Sequence, residues 1–267
     1  MSVASFAIFL AIGLFSGLLA GMFGIGGGIV IVPAMIYALG DSTIALDLKM
    51  PVTVATSLAV IAITGLSSAN AHHKRGGVNW QMMKIMAPGC VLGTVAASFA
   101  VTRIPGKYLL GLFALFEFYI ATDLLFGTHP IESASKAINT GLFLVAGLVI
   151  GAISTLLGIG GGSLTVPFLH YVGRPLREAV GTSSVFGAFL AIIASMAFFL
   201  QPQPPLPHMA GFIYLPAFFG IALASIVTAP FGTALAHRLP VKRLRQLLAI
   251  VLYLVALDMG MECLKHF

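Results

Sequence analysis

The string Gly24-Ile25-Gly26-Gly27-Gly28, with Pro33 five residues on, returns as Gly158-Ile159-Gly160-Gly161-Gly162 with Pro167, every position displaced by 134 residues. The recurrence divides the chain into two copies of one unit. Four glycines in five residues weaken a helix, each costing about 1 kcal/mol against Ala. Both strings nevertheless lie inside apolar runs, Leu18 to Phe23 and Ile29 to Ile36 in the first copy, Ala152 to Leu157 and Leu164 to Leu169 in the second. Glycine-broken helices at matching places in two halves point to a transporter binding site, where freed amides and a helix start favour an anion. The plainer reading is that glycines let membrane helices pack closely.

Composition fixes the solvent. With 59% hydrophobic and 8% charged residues and a mean hydropathy of +1.05, the chain has too few charges to cover a soluble surface. An all-α, polytopic membrane protein is expected. The net charge of +6 sits in short connectors, so it reports topology and not nucleic-acid binding. Cys90 and Cys263 lack zinc or disulfide spacing and read as small core residues. His72-His73 has no carboxylate beside it and reads as interfacial; no metal or cofactor is expected. Met1 to Phe6 lacks a basic start, so the first segment is expected to be retained.

Ten apolar segments fall into two sets of five. The first set is Val3 to Phe23, the short Gly28 to Leu39, Val52 to Ala71, Met83 to Val101 and Tyr108 to Phe126. The second is Ile138 to Leu157, the short Gly162 to Val172, Gly181 to Leu200, a long run from His208 to Ala236, and Leu244 to Met261. The expected organisation is an N-terminal repeat over 1–126, a connector over 127–137 and a C-terminal repeat over 138–267. Val54-Ala55-Thr56-Ser57 is answered by Val180-Gly181-Thr182-Ser183, and Arg103-Ile104-Pro105-Gly106-Lys107 by Arg238-Leu239-Pro240-Val241-Lys242.

An odd number of crossings per repeat would invert the halves. It would group Lys74, Arg75, Lys84, Lys136, Arg174, Arg177, Arg238, Lys242, Arg243 and Arg245 on one side against Lys49, Arg103, Lys107 and Lys265 on the other. The larger group would face the cytoplasm, leaving both termini outside. Four crossings per repeat would give a partition of nine to five, one residue less asymmetric.

Acids at membrane depth need a reason, since each costs on the order of 2.5 to 3.5 kcal/mol. Asp123 and Asp258, related by 135 residues, and Glu262 read as helix-end acids; Glu117, deep among apolar neighbours, reads equally as a structural group or a proton carrier. Glu117, Asp123 and Asp258 are the candidates for proton coupling. Thr56, Ser57, Thr182, Ser183 and Ser184 are expected at helix starts, either as caps or as donors to an oxyanion.

Together, the two Gly-Ile-Gly-Gly-Gly-x4-Pro strings, Ala179-Val180-Gly181-Thr182-Ser183-Ser184, Gly77-Val78-Asn79-Trp80 after a His-Lys-Arg turn, and the paired Arg-x-Pro-x-Lys connectors resemble the TauE/SafE sulfite exporter family. The resemblance implies a carrier of sulfite or small organosulfonates in the bacterial plasma membrane. It implies anion-site roles for Gly24, Gly26, Gly27, Gly28, Gly158, Gly160, Gly161 and Gly162, with the Thr-Ser pairs beside them. The copies differ where Ala55 faces Gly181 and Leu58 faces Ser184, so the half-sites are expected to contribute unequally. An anion channel or a structural membrane protein would use the same glycines differently. No nucleophile, base or metal cluster of an enzyme is present in the sequence. The expected partners are the lipid bilayer, a small sulfur anion, a co-transported proton or cation, and a second copy in a homodimer.

Overall fold

The computed structural model describes residues 3–23, 26–40, 44–126, 139–236 and 241–265. Ten helices account for nearly all of them: α1 (Val3–Phe23), α2 (Gly28–Ala38), α3 (Leu46–Lys74), α4 (Trp80–Val101), α5 (Gly106–Phe126), α6 (Thr140–Leu157), α7 (Gly162–Tyr171), α8 (Leu176–Phe199), α9 (Leu215–Ala236) and α10 (Val241–Lys265). Among the described residues, seven of these are long and apolar enough to cross a membrane. The protein is an all-α, multi-pass membrane protein. Gly24, the expected connector over 127–137 and most of the second Arg-x-Pro-x-Lys turn lie outside the described residues.

Three boundaries differ from the hydropathic reading. Helix α3 begins at Leu46, not Val52, because Asp47 sits in its first turn and accepts the Gly106 amide at 2.6 Å. Helix α8 begins at Leu176, one turn before the apolar run, after Pro175 at its N-cap. The hydroxyl residues Thr56, Ser57, Thr182, Ser183 and Ser184 are therefore inside helices and cap none of them. The run from His208 is not one helix, since a two-stranded hairpin (β1, Met209–Ala210; β2, Ile213–Tyr214) precedes α9. At 29 residues α3 spans about 43 Å against a hydrocarbon core of about 30 Å, so its ends emerge from the lipid.

The helices pack in pairs: α1 on α9, α4 on α6, α3 on α8 and α5 on α10. Glycines make the first two seams. A Cβ at Gly13 would overlap Ile221 and one at Gly17 would overlap Ser225, while Gly147 meets Met86 and Gly151 meets Cys90 in the same way. Small residues let these backbones approach closely. The other two pairs run antiparallel. Cys263 donates to the Lys107 carbonyl at 3.3 Å while Tyr253 shares a hydrogen bond with Thr122 at 2.8 Å; Gly65 lies against Ala188, and Gly77 against Gly181. Cys90 and Cys263 are buried, as expected of core residues.

Candidate functional site

Both glycine strings interrupt the backbone where the sequence placed them. Gly27 caps α2 at φ 79° and Gly161 caps α7 at φ 76°, a left-handed conformation that strains any residue with a Cβ. Neither N-cap glycine has a side chain to cap its helix, so among the described residues the first-turn amides of α2 and α7 are left uncovered by their own N-caps. Helices α2 and α7, of 11 and 10 residues, are too short to cross a bilayer.

The two breaks meet. A Cβ on Gly28 would overlap the carbonyl oxygen of Gly158 and lie 2.8 Å from Cα of Ile159. Ser57 donates to that Gly158 carbonyl at 2.8 Å, and Ser183 donates to the Gly162 carbonyl at 3.3 Å. Ile61 of α3, 1% exposed, is wedged beside Gly26, Gly28 and Gly160. The residue 126 positions on is Gly187, which lies against the Gly160 carbonyl.

A cavity of about 590 Å³ leads from one end of the molecule to this junction. It touches Gly26, Gly160, Gly162, Ser183 and Ser184 among the expected residues. Gly27, Gly28, Thr56, Ser57, Gly158, Gly161 and Thr182 stand behind it or build the junction without lining it. Thr56 accepts the Tyr214 amide at 3.0 Å and Thr182 the Asn79 amide at 2.9 Å, so both serve as stitches between helices. The cavity also exposes a polar stripe along α3 and its C-cap, namely Thr64, Ser67 and Ser68, which the sequence reading passed over, with His72, expected as interfacial, and Arg75, expected as a marker of topology. Their steps of three, one, four and three were the available signal. Arg75 supplies a positive charge at the mouth, and its carbonyl accepts from Arg177 at 2.8 Å.

The three acids lie elsewhere. Glu117 is 0% exposed on α5, and neither carboxyl oxygen has a hydrogen-bond partner among the described residues. Asp123 is half-buried near the end of α5, and Asp258 is exposed on α10. Among the described residues no group of three or more metal-ligating side chains converges.

The chain resembles transporters along nearly its whole length. It is 35% identical over 256 residues to a probable membrane transporter protein of Haemophilus influenzae, covering 95% of this chain and 97% of that one. A probable membrane transporter protein of Methanocaldococcus jannaschii is 24% identical over 253 residues, covering 94% of each. YunE, a probable membrane transporter protein of Bacillus subtilis, is 29% identical over 211 residues, 72% of this chain and 76% of that one. No solved structure matches it significantly. The family described as sulfite exporter TauE/SafE matches residues 9–259, and the chain belongs to that family.

Proposed function

We propose that this protein is a secondary transporter that carries a sulfur-containing anion, sulfite or a small organosulfonate, across the plasma membrane by alternating access. The observation that carries the proposal is the cavity whose lining runs from His72 and Arg75 to Gly26, Gly160 and Gly162, where the two glycine breaks abut. An oxyanion there would meet first-turn amides of α7 and the positive end of a helix dipole, and would gain the hydroxyls of Ser183 and Ser184 once they turn from the Gly162 and Val180 carbonyls to which they donate. Such a site holds an anion without a buried Arg.

Two repeats of opposite orientation fit the packing. Under the pairing of αn with αn+5, α1 on α9 and α4 on α6 are one contact made twice. The counterparts α5 and α10 run antiparallel, as do α3 and α8. Contacts of Asp47 with Gly106, Ser98 with Gln201 and Cys263 with Lys107 gather Lys49, Arg103, Lys107 and Lys265 at one end. Arg75 and Arg177 meet at the other, beside the cavity mouth, which the positive-inside rule would orient toward the cytoplasm. Among the described residues, the burial of Ser154, Thr155, Ala194 and Phe198 on the far side favours a carrier over an open channel.

Counterflow in proteoliposomes tests the proposal. Labelled sulfite, or labelled sulfoacetate, should accumulate transiently only when the same anion is loaded inside, and should saturate. Conductance without saturation would indicate a channel, and no flux of any sulfur anion would overturn the reading.

A further inference from the structure

Several positions that the open cavity touches have buried counterparts in the other half. On α3 it meets Ser68, Ala71, His72 and Arg75; 126 residues on stand Ala194, Ala197, Phe198 and Gln201, at 0%, 9%, 0% and 6% exposure. On α1 it meets Ala20 and Gly21; 134 residues on stand Ser154 and Thr155, both 0% exposed. Among the described residues, the hydroxyl oxygens of Ser154 and Thr155 have no hydrogen-bond partner, an uncommon and costly state for a buried hydroxyl. Gln201 ties the end of α8 to the end of α4. Its Nε2 donates to the carbonyls of Ser98 at 3.1 Å and Ala197 at 3.3 Å, and its Oε1 accepts from Thr102 at 2.9 Å.

We infer that Ser154, Thr155 and the face of α8 bearing Ala194, Ala197 and Phe198 line a second access route to the glycine junction, closed in this conformation, with Gln201 as its latch. The inference rests on the transporter reading and adds the residues that an anion passes on the far side. The two unbonded hydroxyls gain their partners when that route fills with water or with the anion. At the positions where the open mouth has His72 and Arg75, the far route has Phe198 and Gln201, and Arg103 follows the Thr102 that Gln201 accepts from.

Cysteine accessibility tests this in a background lacking Cys90 and Cys263. Ala194→Cys should resist a membrane-impermeant methanethiosulfonate added to the face that carries Arg103 and Lys107, and should become at least tenfold more reactive when Gln201→Ala or Phe198→Ala is added. Ser68→Cys, reached from the opposite face, should lose reactivity in the same variants. An Ala194→Cys that stays unreactive in both gate variants would overturn the inference.

A second measurement needs no loosened gate. Thr102→Cys/Gln201→Cys, bridged by oxidation, should stop sulfite counterflow, and reduction should restore it; undiminished flux through the bridged protein would overturn the inference. Labelling does not depend on flux. A gate that opens in a protein carrying no sulfur anion would leave this route standing and remove the transport reading instead.

Discussion

The hydroxyl of Thr56 accepts the backbone amide of Tyr214, 158 residues away, at 3.0 Å. Tyr214 precedes α9, and amides at a helix start have no partner within their own helix. Thr182 does the same for Asn79, which precedes α4, so one stitch is made once in each half. Thr56→Val or Thr182→Val should each lower stability by about 1 to 3 kcal/mol, the cost of a buried donor left unpaired, whereas Thr→Ser should cost much less. Thermal unfolding in detergent would read the difference, and equal melting of Val and Ser variants would refute the stitch.

The junction makes a sharp distinction among glycines. Gly28 has the Gly158 carbonyl where its Cβ would go, while Gly76, at φ 66°, has nothing within 4 Å of a Cβ. Gly76→Ala should lose roughly 1 kcal/mol from its backbone conformation and keep its transport. Gly28→Ala must part the two breaks, and counterflow should fall at least tenfold in protein that still purifies as a folded species. Normal flux in Gly28→Ala would show that the abutment is dispensable.

Much of this was legible before the fold was seen, for identifiable reasons. Glycine strings in apolar surroundings announce a break, and a fixed offset announces a repeat, so both short helices start at the glycines as read. Hydropathy places lipid-facing stretches but not helix ends. The polar first turns of α3 and α8 were missed, and with them the interior position of Thr56 and Thr182. The cavity-lining hydroxyls of Thr64, Ser67 and Ser68 were missed because they are dispersed among apolar residues, and only helical geometry brings them onto one face with His72.

Arg75 should act on capture more than on turnover. A cation at the mouth raises the local concentration of anions and is screened by salt. Arg75→Gln should raise KM severalfold with a smaller change in maximal rate and a flattened dependence on ionic strength, while Arg75→Lys should keep most of the effect. Initial rates over a range of salt concentrations would decide, and an unchanged KM would remove the residue from the route.

Of the three candidate acids, Glu117 is the one buried without a hydrogen bond. If it carries the coupled proton, Glu117→Gln should abolish the dependence of flux on a pH gradient while leaving sulfite exchange at equal pH. Asp258→Asn, on an exposed face, should leave both unchanged. A pH-driven flux that survives Glu117→Gln would assign coupling elsewhere.

Selenite has the charge and pyramidal shape of sulfite, and selenium scatters anomalously. A crystal of the protein grown with selenite should show an anomalous peak inside the cavity between Gly26 and Gly160, within hydrogen-bonding reach of Ser183 and the first turn of α7. A peak confined to the mouth beside Arg75, or none in the cavity of a preparation that transports sulfite saturably, would contradict the claim that the paired glycine breaks hold the anion.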